Sequence, residues 1–315
     1  MRSLTLARQF QKSGHEVCFF GDIGNIPWLL EIIHQSKILH VTSARNSLDF
    51  TFFVEKNFDL LVVDSYEVPC EDINAASNEI TTLAIVDNDS RGIQSHFLLD
   101  HNLDATPFTL ISGSSQLIGP KFALVREEIR AIRRSKSHRV NEELNPSVLV
   151  VSGGTDPTGL AVKVSQLISE LDSEFDLSFI TNQANVKEVA HNLPKNRHNV
   201  YSQRPDIQNL LVNADIVISA AGTSVLDLSC IGVPTIYFSV AENQNANLAI
   251  ISDLEIGLTM PKSASDLELK DRLQEYIRKC AFDLDTRELL FQNSQKFVDG
   301  NGAQRVVEEI EINLP

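Results

Sequence analysis

The residues at 214–244 carry the groups best suited to hold a ligand. An apolar run at 216–219 leads into Ala220, Ala221 and Gly222, and Thr223 and Ser224 then open a helix with Asp227 in its first turn. Small side chains let a ligand approach the backbone of such a turn, and the free N–H groups and positive dipole end of the helix favour an anion. Asp227 stands where ribose hydroxyls would donate to a carboxylate. The pattern points to a nucleoside diphosphate. A second turn of this kind, Gly153-Gly154-Thr155-Asp156, follows the apolar run 147–152. A lone pair of glycines usually makes only a strand-to-helix corner, but two such turns at strand ends suggest one for phosphate and one for sugar or ribose.

In the first half, apolar runs at 60–63 and 83–86 each end at an aspartate, Asp64 and Asp87. Ligands of open α/β sheets sit beyond the carboxyl ends of the strands, where these side chains would meet a substrate. The plainer alternative is that each caps the turn after it. Tyr66 has the chemistry to stack on a ligand or hydrogen-bond to it, or else closes the cleft between the lobes, and Asp100-His101-Asn102 is ordinary turn chemistry. His15 follows the first helix and precedes a strand, so it falls at the other end of the sheet as a turn residue. His96, His101 and His138 make no ligand set at metal spacing; no metal and no cofactor is expected.

Positions 4–11 predict a helix and 16–20 a strand. Further strands are expected at 147–152, 177–180, around 200, 216–218 and 235–238. Asp156-Pro157 looks like an N-cap with proline in the first helical position, opening a helix at 157–170. Helices should follow Asp266 and Gly302. Strands alternating with helices predict an α/β fold with parallel sheets covered on both faces. A chain of 315 residues with 43% hydrophobic content is long enough for two cores, and the boundary is expected at 135–146, giving domains 1–140 and 141–315. Arg126, Arg130, Arg133, Arg134, Lys136 and Arg139 are expected to form a solvated helix face leading into the linker, with a phosphate-facing role as the alternative. Trp28, Phe50, Phe52 and Phe53 suit core positions, and Cys230 suits simple packing.

The net charge is −15, with 14 basic and 17 acidic residues in 1–140 and 13 and 25 in 141–315. Such a surface repels nucleic acid and anionic lipid, so neither is an expected partner. The four cysteines are scattered, which fits a reduced, cytoplasmic setting. No apolar run reaches the ~18 residues that span a bilayer. Oligomeric state is left open.

Four segments then resemble one family: V-S-G-G-T-D-P (151–157), A-A-G-T-S-V-L-D (220–227), A-E-N-Q ending at Gln244, and D-G-N-G-A-Q-R-V (299–306). V-D-S-Y (63–66), V-D-N-D-S-R (86–91), L-L-D-H-N-L (98–103) and G-P-K-F-A-L-V-R (119–126) agree in order. Together they resemble the UDP-sugar hydrolases of pseudaminic acid biosynthesis and the related spore-coat polysaccharide biosynthesis proteins. That resemblance covers nearly the whole chain. It implies two Rossmann-like parallel-sheet lobes in a glycosyltransferase-B arrangement, a sugar-side lobe followed by a UDP-binding lobe. The implied reaction hydrolyses a UDP-linked 2,4-diacetamido-2,4,6-trideoxy hexose to the free sugar and UDP.

By the same resemblance, Gly222, Thr223 and Ser224 hold the pyrophosphate, Asp227 replaces a glutamate on the ribose, and Asn243 and Gln244 face the diphosphate and sugar. Gly153, Gly154 and Thr155 join the UDP set, and Asp64, Tyr66, Asp87 and Asn102 the sugar side. The family opens with a strand and a G-x-G-H-x-x-R turn whose histidine is the general base, whereas Met1-Arg2-Ser3 matches only the end of that motif. The first lobe is therefore expected to lack its first strand, and the base is expected ahead of Met1 in a longer gene product. A glycosyltransferase or a catalytically silent binder of nucleotide sugars are the alternatives.

Overall fold

The computed structural model of the chain describes every residue except 24–26, 43–52, 54, 55, 110–112, 138–143, 153–155, 157, 172, 173, 195–197, 203, 205, 243 and 315. The chain forms two compact units, Met1–Arg126 with Gly300–Pro315, and Glu127–Asp299.

Unit 1 contains, in order, α1 (Arg2–Lys12), β1 (Cys18–Phe20), α2 (Pro27–Gln35), β2 (Leu39–Val41), β3 (Leu60–Val63), α3 (Cys70–Ala76), β4 (Thr81–Ile85), β5 (Phe97–Asp100) and β6 (Ser115–Ile118). Strands β3, β4, β5 and β6 lie side by side and parallel; β1 and β2 form a separate parallel pair, with no pairing between the two sheets among the described residues. Helix α1 buries two faces. Leu6 and Phe10, four apart, join Leu83, Ile85, Phe97 and Leu99, while Leu4 and Ala7, three apart, join Ile33 and Ile38. Each large side chain so buried contributes roughly 1.5–3 kcal/mol. Phe53 is in the core as expected; the side chains of Trp28, Phe50 and Phe52 lie outside the described residues.

Unit 2 contains α4 (Glu127–Arg130), β7 (Ser147–Val151), α5 (Leu160–Leu167), β8 (Asp176–Thr181), α6 (Val186–Asn192), β9 (His198–Ser202), α7 (Gln208–Leu211), β10 (Ile216–Ala220), α8 (Ser224–Ile231), β11 (Thr235–Phe238), α9 (Gln244–Asp253), β12 (Leu258–Thr259), α10 (Asp266–Phe282) and α11 (Leu284–Phe297). The last helix, α12 (Gly302–Asn313), returns to unit 1, where Ala303, Val306, Val307 and Ile310 complete the core around Leu6 and Phe10. The sheet of unit 2 is parallel throughout in the order β12-β11-β10-β7-β8-β9. The chain steps outward from β7 to β9 and then returns to the other side of β7 at β10. Strand order thus reverses between β7 and β10, and ligands of doubly wound sheets sit beyond the carboxyl ends at such a point. Every residue of β10 is buried, as expected of a strand covered on both faces.

Two expectations change. The helix expected at 157–170 is α5, beginning only at Leu160. Asp156 and Gly159 sit at φ 43° and 68°, so the chain turns left-handed before it can coil. Asp156 still caps the helix, its carboxylate accepting from the amides of Leu160 (2.7 Å) and Ala161 (3.3 Å). The basic run is not a solvated helix face. Helix α4 ends at Arg130, and Arg133 then donates to the carbonyls of Cys230 (2.9 Å), Val298 (2.8 Å) and Gln295 (3.0 Å), at the ends of α8 and α11. Carbonyls at helix C-termini lack intrahelical partners and favour a cation. Arg134 donates to the Ala214 carbonyl, and burial pushes its guanidinium down to about 10. Both side chains tie residues 127–137 into unit 2, so the structure divides at Arg126/Glu127 and again at Asp299/Gly300, where the sequence suggested 140/141.

Candidate functional site

At the carboxyl edge of unit 2, β10 runs directly into the small-residue turn and α8. The Ser224 hydroxyl folds back onto the Ala220 carbonyl (3.1 Å) and contacts the Ser219 hydroxyl (3.0 Å). Its side chain therefore braces the turn; the amides of Val225 and Leu226 donate to the carbonyls of Gly222 and Thr223 (both 3.1 Å), so what the start of α8 can offer outward is the backbone amides that precede them. No side chain caps α8 at Thr223, which is exposed. Helix α5 differs, because the buried Asp156 carboxylate already occupies its amino end. Of the two anion-binding helix starts expected from sequence, α8 is the one without a side-chain cap hydrogen bond among the described residues.

Gly222 lies between Ala221 and Thr223 with φ outside the left-handed region. A Cβ there would meet only the Gln244 Nε2, at 3.5 Å, an ordinary contact. Packing among the described residues does not require glycine at this position. The Gln244 amide is oriented by the backbone: its Oε1 accepts from the Val240 amide (3.1 Å), which turns Nε2 toward Gly222. Asn247, missed in the sequence, donates from Nδ2 to the Ala221 carbonyl (2.8 Å) and fixes the turn from the α9 side. Asp227 is half-buried in the first turn of α8. Gly153, Gly154, Thr155 and Asn243 lie outside the described residues.

Unit 1 carries a polar cluster at the carboxyl ends of β3, β4 and β5. Arg2, at the start of α1, grips two carboxylates. Its Nη2 and Nε donate to Asp64 Oδ1 (2.7 and 3.1 Å), and Nη1 and Nη2 donate to the two oxygens of Asp87 (2.7 and 3.0 Å). The Ser3 hydroxyl also donates to Asp64. Asp87 further accepts from the Tyr66 hydroxyl and from Asn102 Nδ2 (3.0 Å). Burial alone would raise the Asp87 carboxyl, but the hydrogen bonds from Arg2, Tyr66 and Asn102 override it and hold it at about 2. Asp100, fully buried, accepts from the amides of Asn88 (2.7 Å) and Asn102 (3.0 Å), and burial pushes its carboxyl up.

All four residues assigned to the sugar side, Asp64, Tyr66, Asp87 and Asn102, thus meet in one network. Asp64 and Asp87 are engaged by Arg2 rather than capping the turns after them. The arginine escaped the sequence reading because its partners lie 62 and 85 positions away, beyond any spacing rule. His101 is buried, its Nδ1 accepting from the Leu124 amide (3.1 Å), and burial lowers it to about 4. It is neutral and structural. His15 pairs with Glu311 (2.8 Å) and packs edge-on to Phe10.

Comparison with known proteins agrees with this architecture. Residues 148–312 match the Glycosyltransferase family 28 C-terminal domain. The spore coat polysaccharide biosynthesis protein SpsG of Bacillus subtilis (strain 168) is 23% identical over 261 residues, covering 80% of this chain and 76% of that protein. Among solved structures, the glycotransferase of kitacinnamycin aligns with a TM-score of 0.68 at 16% identity, over 100% of this chain and 95% of that one. The spinosyn rhamnosyltransferase SpnG complexed with thymidine diphosphate aligns at 0.62 and 12% identity, over 98% and 96%. At such identities the solved structures speak for the fold, α/β with parallel-sheet Rossmann-like units as in glycosyltransferase-B neighbours. No helix among the described residues is long and apolar enough to cross a membrane. The family match takes in more than half of the chain, including the turn at Gly222, and the chain belongs to the family of the glycosyltransferase 28 C-terminal domain.

Proposed function

We propose that the chain binds a UDP-linked 2,4-diacetamido-2,4,6-trideoxy hexose and hydrolyses it to the free sugar and UDP, in nonulosonic acid or surface polysaccharide biosynthesis. Gly222 carries the nucleotide half of this proposal: among the described residues, a Cβ there would meet only the Gln244 Nε2, at an ordinary contact distance. The first amides of α8, with Gly222, Thr223 and Ser224, would take the pyrophosphate, the Gln244 amide would donate to it, and Asp227 would accept from the ribose. Gly153, Gly154 and Thr155 are assigned to the ribose side, since Asp156 already fills the amino end of α5. Asn243 is assigned to the sugar and diphosphate. Asp64, Tyr66, Asp87 and Asn102 in unit 1 would take polar groups of the sugar.

In the reaction, the bond from the anomeric carbon to the diphosphate oxygen breaks, its electron pair leaves with UDP, and water adds to the carbon with loss of a proton. Charge grows on the leaving diphosphate, so donors at α8 stabilise the transition state more than the bound substrate. No described residue is assigned as the general base. Neither His101, already engaged at Nδ1, nor His15, paired with Glu311, is offered as a substitute.

Transfer to an acceptor other than water is the second reading, favoured by the glycosyltransferase family match. Proton NMR of the protein with the UDP-diacetamido sugar separates the two. Free sugar and UDP appearing in water alone support hydrolysis; release of UDP only when an acceptor is added supports transfer. Binding without turnover under both conditions sinks both.

Gly222→Ala tests the nucleotide site separately. The substitution meets no backbone strain and no clash among the described residues, so the thermal midpoint should stay within about 2 °C. A methyl group against the phosphate should weaken UDP by about tenfold, or about 1.4 kcal/mol, read by calorimetry. Unchanged UDP affinity would move the site away from this turn.

A further inference from the structure

Tyr66 is 66% exposed, yet its position is fixed from both ends. Its hydroxyl donates to Asp87. Its backbone is held by Arg91, whose Nη2 donates to the Ser65 carbonyl (2.7 Å) and Nη1 to the Tyr66 carbonyl (3.1 Å), with the guanidinium carbon 5.5 Å from the centre of the Tyr66 ring. The Ser65 hydroxyl accepts from the amides of Glu67 (3.1 Å) and Val68 (3.2 Å), closing the turn that presents the tyrosine. Arg91 itself sits at φ 53°, in the left-handed region, held there by its amide donating to Asp89 Oδ1 (2.8 Å). A non-glycine residue in that region costs about 1 kcal/mol or more and persists only where its surroundings impose it.

We propose that Arg91 is a positioning residue that aims the Tyr66 hydroxyl, so that this oxygen, its proton given to Asp87, accepts a hydrogen bond from a donor on the bound sugar, an amide N–H or a hydroxyl. This rests on the assignment of the unit 1 cluster to the sugar. A phenol has one proton and an ionised carboxylate can only accept, so the Tyr66 proton is committed to Asp87 and only its lone pairs remain for a ligand. The ligand group that meets them must donate. A planar guanidinium suits the holding role because it grips two carbonyls at once, whereas an ammonium is a single point charge.

A double-mutant cycle tests the proposal, with dissociation constants measured by calorimetry for UDP and for the UDP-diacetamido sugar. Arg91→Ala and Tyr66→Phe should each weaken the UDP-sugar by about tenfold and leave UDP alone unchanged, and the double variant should also lose about tenfold rather than about a hundredfold, because the two side chains act through one bond. Arg91→Lys should lose less than Arg91→Ala, and it serves in place of the alanine variant if that one does not fold. Losses that multiply in the double variant, an equal loss for UDP alone, or no loss would overturn the proposal. If the unmodified protein binds the UDP-sugar no better than UDP, the sugar assignment itself fails, and that outcome is read before any variant is made.

Discussion

Replacing Gly302 with alanine is expected to destabilise unit 1 by about 3 kcal/mol or more, at the upper end of what overpacking costs. A Cβ at that position would lie 2.3 Å from the Ala123 carbonyl oxygen, 2.4 Å from the Ala123 nitrogen and 2.4 Å from the Phe122 carbonyl carbon. All three are backbone atoms, which cannot rotate aside as a long side chain would. The first turn of α12 would have to lift, and Ala303, Val306, Val307 and Ile310 would move with it, away from Leu6, Phe10 and Leu117. Differential scanning calorimetry should show the transition of unit 1 falling by about 10 °C. Hydrogen exchange should place the lost protection in unit 1, with β7 and β10 unaffected. A loss shared by both units would mean that the glycine serves something other than this contact.

Replacing Arg2 with alanine should destabilise the protein in a manner that depends on pH. In the intact protein Asp87 titrates at about 2, below its ordinary 3.8. A depressed carboxyl contributes stability that is fully present above the unfolded value and is lost as pH falls through the folded one, here between about 4 and 2, worth about 2 kcal/mol. Without the guanidinium, Asp64 and Asp87 are left close together at the edge of the sheet with only Ser3, Tyr66 and Asn102 to donate. Removing one partner of a paired charge costs up to 3–5 kcal/mol when fully buried; with these side chains about a fifth exposed, about 2 kcal/mol is expected at pH 7. Asp87 should then titrate above its ordinary value, so that the variant gains stability on acidification from pH 6 to 4, where the intact protein does not. Urea midpoints measured across pH 3–7 give the comparison. A constant gap between the two proteins over that range would show that Arg2 does not control the Asp87 charge. Arg2→Lys should restore little, since an ammonium cannot grip both carboxylates side by side.

The carboxyl edge of unit 2 was largely legible because its signals are local. An apolar run, three small residues and a helix start lie within a dozen positions, and β10 and α8 follow them closely. The cluster in unit 1 was legible only in part. Asp64 and Asp87 announce themselves as the residues ending apolar strands, but the arginine that organises them is brought by the fold from a different element. Strands β2, β5, β6 and β12 went unread; β6, S-Q-L-I, has neither a long apolar run nor clean alternation. The basic run misled because spacings of three and four match a helix face, whereas Arg133 and Arg134 sit beyond the end of α4 and reach separate carbonyls. The motif at 299–306, read as a family signature, includes Gly302, whose place is explained by a close approach of two backbones.

The return of α12 to unit 1 also sets an order of events during synthesis. Unit 2, residues 127–299, is continuous in sequence, and its sheet and covering helices can assemble as soon as they clear the ribosome. Unit 1 is begun first but finished last: the apolar face of Leu6, Phe10 and Leu117 waits uncovered until Ala303 to Ile310 have been made. Through most of translation the half-built sheet of unit 1 is the part of the molecule most exposed to misassociation.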